Sequence, residues 1–369
     1  MIRWSIRSIG SEGTVFLASC TGVAFAFLLV MFFEAVFNGE SERITAYPTQ
    51  VNADVWVMQK GVANMHMAVS QLWDWKEDRI RSIEGVADTE SILYMNAVID
   101  AGDRKWFAYI VGLGERADFS APWAMHSGKR LPERGEMIIP EILARLTGLQ
   151  TGDNIAIVDR RFTIIGLSKG TFSMANSIVF VSKVDLADIM SATGSVSYVM
   201  VRAASGVSPV ELAQRILNQV DNVNALPQKK FINNDHHLAR QMGVEIIAMM
   251  SIIGSLLATV IVAFTVHMFI LRRKRELAIV KALGYRNHHV YMSVLLQALL
   301  LTLGGLAMSF AFTLVLFPMI SLLVPVVSLK WALASLLKTT VAAFLVAALA
   351  ALWPARQVVR VDPLTVFHG

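Results

Sequence analysis

Two short groups of residues could bind a metal ion, because their side chains are typical metal ligands. Met65, His66 and Met67 would offer two thioethers and an imidazole, which suit a soft ion such as copper. Three adjacent residues do not readily converge on one ion, however, and no second cluster supports them. His236 and His237 precede a long apolar run, where a position at lipid headgroups is the simpler interpretation. We therefore predict packing or surface use for both groups, with no metal site and no cofactor.

Catalytic motifs are absent from the sequence. It contains no GxSxG nucleophile elbow, no HExxH zinc motif and no Walker A phosphate loop. The single cysteine, Cys20, cannot form an intrachain disulfide, and no CxxC pair is present for redox chemistry. We predict that the chain is not an enzyme.

The segment from Arg272 to Tyr285, RRKRELAIVKALGY, is the strongest candidate for a functional site. Leu277, Val280 and Leu283 recur at helical spacing, and charged residues occupy the other side. Gly284 can cap the end of such a helix. An amphipathic helix of this kind either lies in a lipid interface or docks into a groove of a partner protein. Both interpretations use the same apolar row.

Long apolar runs surround this segment. Of the 369 residues, 55% are hydrophobic and 17% are charged, whereas a soluble domain has about 25% charged residues. A spanning helix needs about 20 apolar residues to cross a hydrocarbon core about 30 Å thick. Pro318 and Pro354 are expected to end the third and fourth helices. We predict four transmembrane helices, over residues 13–36, 241–271, 290–317 and 331–353.

The positions of the basic residues predict how the chain crosses the membrane. They cluster beside the apolar runs, so the net charge of +5 is interpreted as a topology signal and not as a nucleic-acid-binding surface. The positive-inside rule places both termini in the cytoplasm. The predicted cytoplasmic segments are residues 1–12, 272–289 and 354–369, and the predicted outside segments are residues 37–240 and 318–330.

Cys20 raises the alternative of a cleaved lipoprotein, since Leu17-Ala18-Ser19-Cys20 fits that cleavage pattern. A cleavable signal has an apolar stretch of about 7 to 15 residues before the cut. Here Glu12 shortens that stretch to residues 13–19, and the chain stays apolar to Phe33. An uncleaved membrane helix is therefore favoured.

Lys338 lies inside the predicted fourth helix. A lysine within a membrane span is often functional. Its long stem can also carry the ammonium from about two turns inside the helix to the headgroups. We favour the second interpretation, and a similar structural one for His267 near the end of the second helix.

The region of residues 37–240 alternates β-branched strands with short helices, which indicates a mixed α/β fold. Gly148 is expected to cap the second of these helices. The predicted strands are residues 54–58, 92–99, 106–111, 155–158, 162–165, 178–181 and 198–201. The predicted helices are residues 71–83, 141–146, 183–190 and 209–220.

Four stretches, in order, resemble the MacB–FtsX-type (type VII) ABC transporter permeases. RELAIVKALG at residues 275–284 resembles the loop after the second span of that family. The glycine-rich stretch 128–166 is similar to the signature of its outside domain, and residues 54–58 resemble that domain's first strand. The tail from Trp353 to Leu364 is similar to the family's C-terminal end. Within the family, residues 22–27 and 259–267 look most like the DevC-type branch, which is associated with glycolipid export.

The resemblance implies a membrane α-helical fold with a MacB-like periplasmic domain between helices 1 and 2, in the bacterial inner membrane. It implies the permease subunit of an ABC exporter that works by mechanotransmission. A separate cytoplasmic ATPase, in two copies on a permease homodimer, would drive export of a lipid, glycolipid or other hydrophobic substrate. A membrane-fusion adaptor and an outer-membrane channel are partners of some members. The alternative is an FtsX-like subunit that signals across the membrane to a cell-wall hydrolase. The sequence does not separate these two functions or name a substrate.

Two sets of site residues follow from this resemblance and from side-chain size. Small residues let helices approach closely, so we predict that Gly22, Ala26, Gly254 and Ala258 pack at the dimer interface. The ATPase is expected to dock on Arg275, Glu276, Leu277, Val280, Lys281, Leu283 and Gly284.

Overall fold

The computed structural model describes residues 13–66, 69–101, 104–115, 118–173, 177–239, 245–272, 275–276, 279, 283 and 285–360. The chain forms two compact units. The helical unit comprises Met1–Gly39, Ile246–Val324 and Leu329–Gly369. The sheet unit comprises Glu40–Glu245 with Pro325–Ser328.

The helices and strands that the structure describes follow one another in this order. They are α1 (Gly13–Ile44), α2 (Ala46–Gln50), β1 (Val55–Gln59), β2 (Leu72–Trp73), α3 (Trp75–Arg81), β3 (Val86–Ala101), β4 (Arg104–Leu113), β5 (Met125–Gly128), β6 (Glu136–Pro140), α4 (Glu141–Thr147), β7 (Asn154–Ile157), β8 (Arg160–Ser168), β9 (Ile178–Ser182), α5 (Lys183–Met190), β10 (Ser195–Val196), β11 (Tyr198–Ala203), α6 (Pro209–Gln219), β12 (Val223–Pro227), α7 (Gln228–Ala239), α8 (Glu245–Arg272), α9 (Asn287–Leu323) and α10 (Leu333–Arg360).

Four of these helices, α1, α8, α9 and α10, are long and apolar enough to cross a membrane. Helix α1 packs on α9 through small residues. The Cys20 thiol is buried and points at the Leu301 carbonyl oxygen, 3.7 Å from Sγ. A Cβ atom on Gly305 would lie only 2.6 Å from Cβ of Val23. Glycine at this position therefore lets the two helices approach closely.

Helix α10 buries one face through alanines at every fourth position. Ala343, Ala347, Ala351 and Ala355 are all buried, and they belong to the apolar core that all four helices share. Residues four apart lie on the same side of a helix, so these methyl groups form one continuous ridge. Because the ridge continues to Ala355, packing of this face keeps the helix intact past Pro354.

Three expected helix ends are wrong. Helix α1 continues past its expected end at residue 36 to Ile44. Helix α9 passes through Pro318 and ends at Leu323, and α10 passes through Pro354 and is helical as far as Arg360, the last described residue. Proline removes a single backbone hydrogen bond, and membrane helices tolerate it where neighbouring helices support the segment. Phe317, just before Pro318, packs on Trp331 with ring centroids 5.1 Å apart. Tertiary packing therefore outweighs the local preference of proline.

The sheet unit contains a ten-stranded mixed sheet, in the order β12-β1-β11-β3-β4-β9-β6-β8-β5, with β7 paired to β3 and β8. Neighbouring strands are antiparallel except for the parallel pairs β4–β9 and β6–β8. Strand β3 is 16 residues long and pairs with β11 at one end and with β4 along the rest. It therefore connects two halves of the sheet. Strands β2 and β10 form a separate two-stranded sheet.

Both faces of the central strands are buried. On β1, Val55 and Val57 face a cluster with α3 and α6, whereas Trp56 and Met58 face an aromatic cluster on the other side. The ring of Trp56 stacks on Phe231 of α7 at 4.7 Å between centroids. A third cluster lies under α4 and α5. The predicted mixed α/β fold is confirmed.

The predicted elements of this unit are mostly present. Each predicted strand lies within or beside an observed one, and Gly148 caps α4 with φ of 75° as expected. The prediction of a helix from Gln71 is wrong, because Leu72 and Trp73 pair with β10 before α3 begins. The sequence pattern did not predict strands β2, β5, β6, β10 and β12 or helices α2 and α7.

Candidate functional site

In the segment after α8, a hydrogen bond of helical type joins residues 279 and 283. Arg275, Glu276, Ile279 and Leu283 are described, and the Leu283 N–H donates to the Ile279 carbonyl oxygen at 3.0 Å. This is the spacing of an α-helical hydrogen bond, four residues apart. The other predicted docking residues, Leu277, Val280, Lys281 and Gly284, lie outside the described residues.

The apolar side chains of this turn face outward. Leu283 is 72% exposed and Ile279 is 45% exposed, and Arg275 beside them is exposed as well. Exposed leucines cost free energy in water unless lipid or another protein covers them. The geometry therefore fits either a lipid interface or a docking surface, as the sequence predicted.

The four small residues that were predicted to pack at a dimer interface contact helices of their own chain. A Cβ atom on Gly22 would lie 3.5 Å from Thr265 Oγ1, and one on Gly254 would lie 2.8 Å from Phe33 Cδ2. These contacts join α1 to α8. The side chains of Ala26 and Ala258 are buried in the core of the helical unit. The structure thus gives these positions an intrachain packing role, and a role between two chains stays a prediction.

The candidate metal ligands have structural uses where they are described. His66 is buried and its Nδ1 lies 2.9 Å from Asp235 Oδ1, with its ring edge-on to Tyr109. Asp235 also accepts the Met65 N–H at 2.9 Å. Among the described residues, no three His, Cys, Asp or Glu side chains converge to hold a metal ion. Met67 lies outside the described residues, and His236 and His237 lie on α7.

His267 of α8 stacks on a tryptophan of α10. Its ring centroid lies 4.8 Å from that of Trp353, and the two ring planes are inclined by 18°. Stacking of this kind joins the two helices near the same end. The histidine therefore has a packing role.

Lys338 and Glu34 line the same cleft of the helical unit. The cleft has a volume of about 170 Å³ and lies among α1, α8 and α10. Glu34 accepts a hydrogen bond from the Ser251 hydroxyl at 3.4 Å. The sequence pointed to Lys338 alone. Glu34 was taken only as the residue that bounds the first apolar run, and no spacing in the sequence links it to residue 338.

The sheet unit carries a larger polar cleft, with a volume of about 960 Å³. Its wall includes Glu90, which is buried and accepts the Phe119 N–H at 3.2 Å and the Ser120 hydroxyl. The pKa of Glu90 is raised to about 7, mainly because the carboxyl is buried and partly because Asp118 lies nearby. The N–H groups of Phe119 and Ser120 and the positive charge of Arg202 act in the opposite direction. Sequence analysis missed this carboxyl, which sits in an ordinary strand pattern.

Sequence comparison assigns both parts of the chain. Residues 16–219 match the MacB-like periplasmic core domain, which is more than half of the chain. Residues 248–363 match the FtsX-like permease C-terminal domain. The chain belongs to the MacB/FtsX-type family of ABC transporter permeases. It is thus a multi-pass protein of the inner membrane.

Two relatives cover this permease almost end to end. Both are uncharacterized ABC transporter permeases of Mycobacterium tuberculosis, one from strain CDC 1551 and one from strain H37Rv. Each is 22% identical over 357 residues, which is 95% of this chain and 93% of the relative.

Two solved structures are similar to parts of the permease. The periplasmic region of MacB from Actinobacillus actinomycetemcomitans is 10% identical, with a TM-score of 0.39, over 50% of this chain and 92% of that one. The extracellular domain of the noncanonic ABC-type transporter YknZ from Gram-positive bacteria is 11% identical, with a TM-score of 0.37, over 47% of this chain and 100% of that one.

Proposed function

We propose that this permease couples a separate cytoplasmic ATPase to the export of a lipid, glycolipid or other hydrophobic substrate by mechanotransmission. Two copies of the ATPase would act on a homodimer of the permease. A periplasmic adaptor and an outer-membrane channel would complete the route, as in the DevC-type branch. The observation that carries this proposal is the exposed apolar turn at Ile279 and Leu283, directly after α8.

The docking step rests on the shape and chemistry of that turn. Leu283 would enter an apolar groove of the ATPase, and Glu276 would face arginines at its rim, because helix docking uses apolar anchors with charged neighbours. The family resemblance of residues 275–284 supports the same partner. Leu283 could equally contact lipid at the membrane surface, and loss of ATPase binding on substitution of Leu283 separates the two interpretations.

Transmission of the motion rests on the length of the helices. Helix α8 has 28 residues and α1 has 32, so they are about 42 Å and 48 Å long at about 1.5 Å per residue. Both are unbroken, and both connect by sequence to the domain of residues 40–245. A displacement at the Arg272 end of α8 would therefore reach that domain along a rigid element.

The composition of the helical unit supports handling of the substrate outside a central pore. Apolar side chains from α1, α8, α9 and α10 form one shared core. A hydrophilic channel would need polar side chains along its wall. We infer that the substrate is handled by the sheet unit or in the outer leaflet. The positive-inside rule supports a cytoplasmic position for both termini.

The test is the variant Leu283→Asp, purified from cells that also produce the ABC ATPase encoded with the permease. A carboxylate at the centre of an apolar contact is desolvated without a partner, so binding should fall by at least about tenfold. Val210→Asp is the matched control, because Val210 is 68% exposed on α6 of the sheet unit and receives the same charge. The proposal predicts loss of the ATPase from Leu283→Asp alone, with thermal stability unchanged.

If Leu283→Asp still copurifies the ATPase and supports ATP-driven export, this turn is not the docking site. If docking is lost but the wild-type permease carries no substrate and instead activates a cell-wall hydrolase, the signalling alternative replaces export.

A further inference from the structure

The cleft among α1, α8 and α10 is polar at one end and apolar at the other. Glu34, Ser255 and Lys338 line the polar end. These positions lie toward the helix ends that connect by sequence to the sheet unit, since α1 leads into it and α8 follows it. The cleft is therefore a candidate for an amphiphile, which has a head and a tail.

The apolar end of the cleft lies about two helical turns deeper along the same three helices. Phe27 is seven residues before Glu34 and Val262 is seven residues after Ser255, so each is displaced by about 10 Å at 1.5 Å per residue. Val346 is eight residues after Lys338, about 12 Å away along α10. All three helices thus change from polar to apolar in the same direction, although Thr259 extends the polar lining one turn deeper on α8.

The two charges at the polar end are open to a ligand. Lys338 is exposed, and among the residues that the structure describes no hydrogen bond or ion pair holds its ammonium. Glu34 is half-buried, and within the described part of the chain its carboxylate accepts one hydrogen bond, the long one from the Ser251 hydroxyl at 3.4 Å. The hydroxyl groups of Ser255 and Thr339 add neutral hydrogen-bonding groups to the wall.

We propose that this cleft binds one zwitterionic phospholipid of the bilayer, with the lipid phosphate on Lys338 and its ammonium on Glu34. A purely anionic headgroup would meet the Glu34 carboxylate, and a purely cationic one would meet Lys338. A headgroup that carries both charges complements both side chains, and its acyl chain would follow Phe27, Val262 and Val346. The site goes beyond the proposed function, because it would exist in an exporter and in a signalling subunit alike.

The test is native mass spectrometry of the full-length permease in detergent, titrated with phosphatidylethanolamine or with phosphatidylglycerol. The wild type should retain one phosphatidylethanolamine that Lys338→Gln and Glu34→Gln bind about tenfold more weakly, since each loses a charge-assisted hydrogen bond. Lys338→Arg should keep the affinity. Lys60→Gln is the matched control, because Lys60 is exposed in the sheet unit and the substitution makes the same charge change there; this variant should behave as the wild type.

Phosphatidylglycerol lacks the ammonium, so the wild type should bind it about tenfold more weakly than phosphatidylethanolamine. The proposal is overturned if Lys338→Gln and Glu34→Gln retain phosphatidylethanolamine at the wild-type level, or if the wild type binds both lipids equally. Circular dichroism of each variant excludes misfolding as the cause of a loss.

Discussion

Gly128 and Gly166 pair directly across strands β5 and β8, and a Cβ atom on Gly128 would lie 2.5 Å from Cα of Gly166. Real side chains do not approach a backbone this closely, so neither position has room for a methyl group. Gly128 also has φ of 81°, a conformation that favours glycine. The first and last glycines of the family signature at residues 128–166 thus have one steric cause, the close contact of these two strands.

Substitution of Gly166 by alanine should destabilise the sheet unit. Its added methyl group would meet the carbonyl oxygen of Lys129, and backbone cannot move aside as a flexible side chain can. We expect the free energy of unfolding to fall by about 1–3 kcal/mol. Hydrogen exchange of β5 and β8 in the full-length protein measures this. Gly114→Ala is the control, because among the described residues no atom beyond its two chain neighbours lies within 4 Å of the added methyl group. Equal exchange in the two variants would contradict the steric explanation.

The stability around Glu90 should decrease as the pH rises. Its pKa is raised from 4.5 to about 7 in the folded protein, so the folded state binds the proton more tightly than the unfolded state. The stabilisation from the protonated form is complete below 4.5 and is lost as the pH rises through about 7. Exchange protection of β3, corrected for the intrinsic pH dependence of exchange, should therefore be lower at about pH 8 than at about pH 5.

Glu90→Gln removes the titrating group and keeps an oxygen that accepts the Phe119 N–H. Protection of β3 in this variant should vary much less between the same two pH values. A pH dependence identical to that of the wild type would show that another group is responsible.

Replacing Gln297 of α9 by leucine should leave the permease as stable as the wild type or more stable. Gln297 is fully buried, and within the described part of the chain neither atom of its amide has a hydrogen-bond partner. A buried amide without a partner costs about 1–3 kcal/mol, and leucine of similar size removes that cost. Thermal unfolding in detergent measures the change.

Thr302 supplies the matched control for this prediction. It is buried on the same helix, and its hydroxyl donates to the Ala298 carbonyl oxygen at 2.9 Å. Thr302→Val removes this hydrogen bond, so its free energy of unfolding should be lower than that of the wild type by about 1 kcal/mol. A large loss of stability in Gln297→Leu would contradict the prediction, because it would mean that the Gln297 amide makes hydrogen bonds in the membrane-embedded permease.

The sequence predicted the spanning helices well because long uncharged runs have few alternatives, but it misplaced three of their ends. Proline disfavours a helix locally, whereas the alanine ridge through Ala355 stabilises it by packing on other helices, and that packing is not visible in the sequence. In the sheet unit, strands such as β1 were recognisable because Val55 and Val57 on one face alternate with Trp56 and Met58 on the other, so that both faces are apolar. Strand β5, Met-His-Ser-Gly, has no such pattern and exists because β8 pairs with it.

The candidate sites also differ in whether local sequence patterns or tertiary contacts define them. The apolar row of Leu277, Val280 and Leu283 could be proposed from the sequence, since helical spacing within one segment is a local property, and it stays a prediction because only Leu283 of the three is described. The cleft was not, because Glu34 and Lys338 are 304 positions apart in the sequence and meet only when α1 and α10 pack. The small residues Gly22 and Gly254 were recognised as close-contact positions, but their partners, Thr265 and Phe33, could not be inferred from spacing.

The sidedness of the membrane is the claim on which docking and export both depend. Cys20 is buried and can be replaced by alanine, so a single cysteine can then be placed at Ser127 on the exposed strand β5 or at Leu283. A membrane-impermeant maleimide is applied to intact spheroplasts and to lysed ones. We predict that Ser127→Cys reacts in intact spheroplasts and that Leu283→Cys reacts only after lysis. Labelling of Leu283→Cys from outside, with Ser127→Cys protected until lysis, would contradict the proposed function.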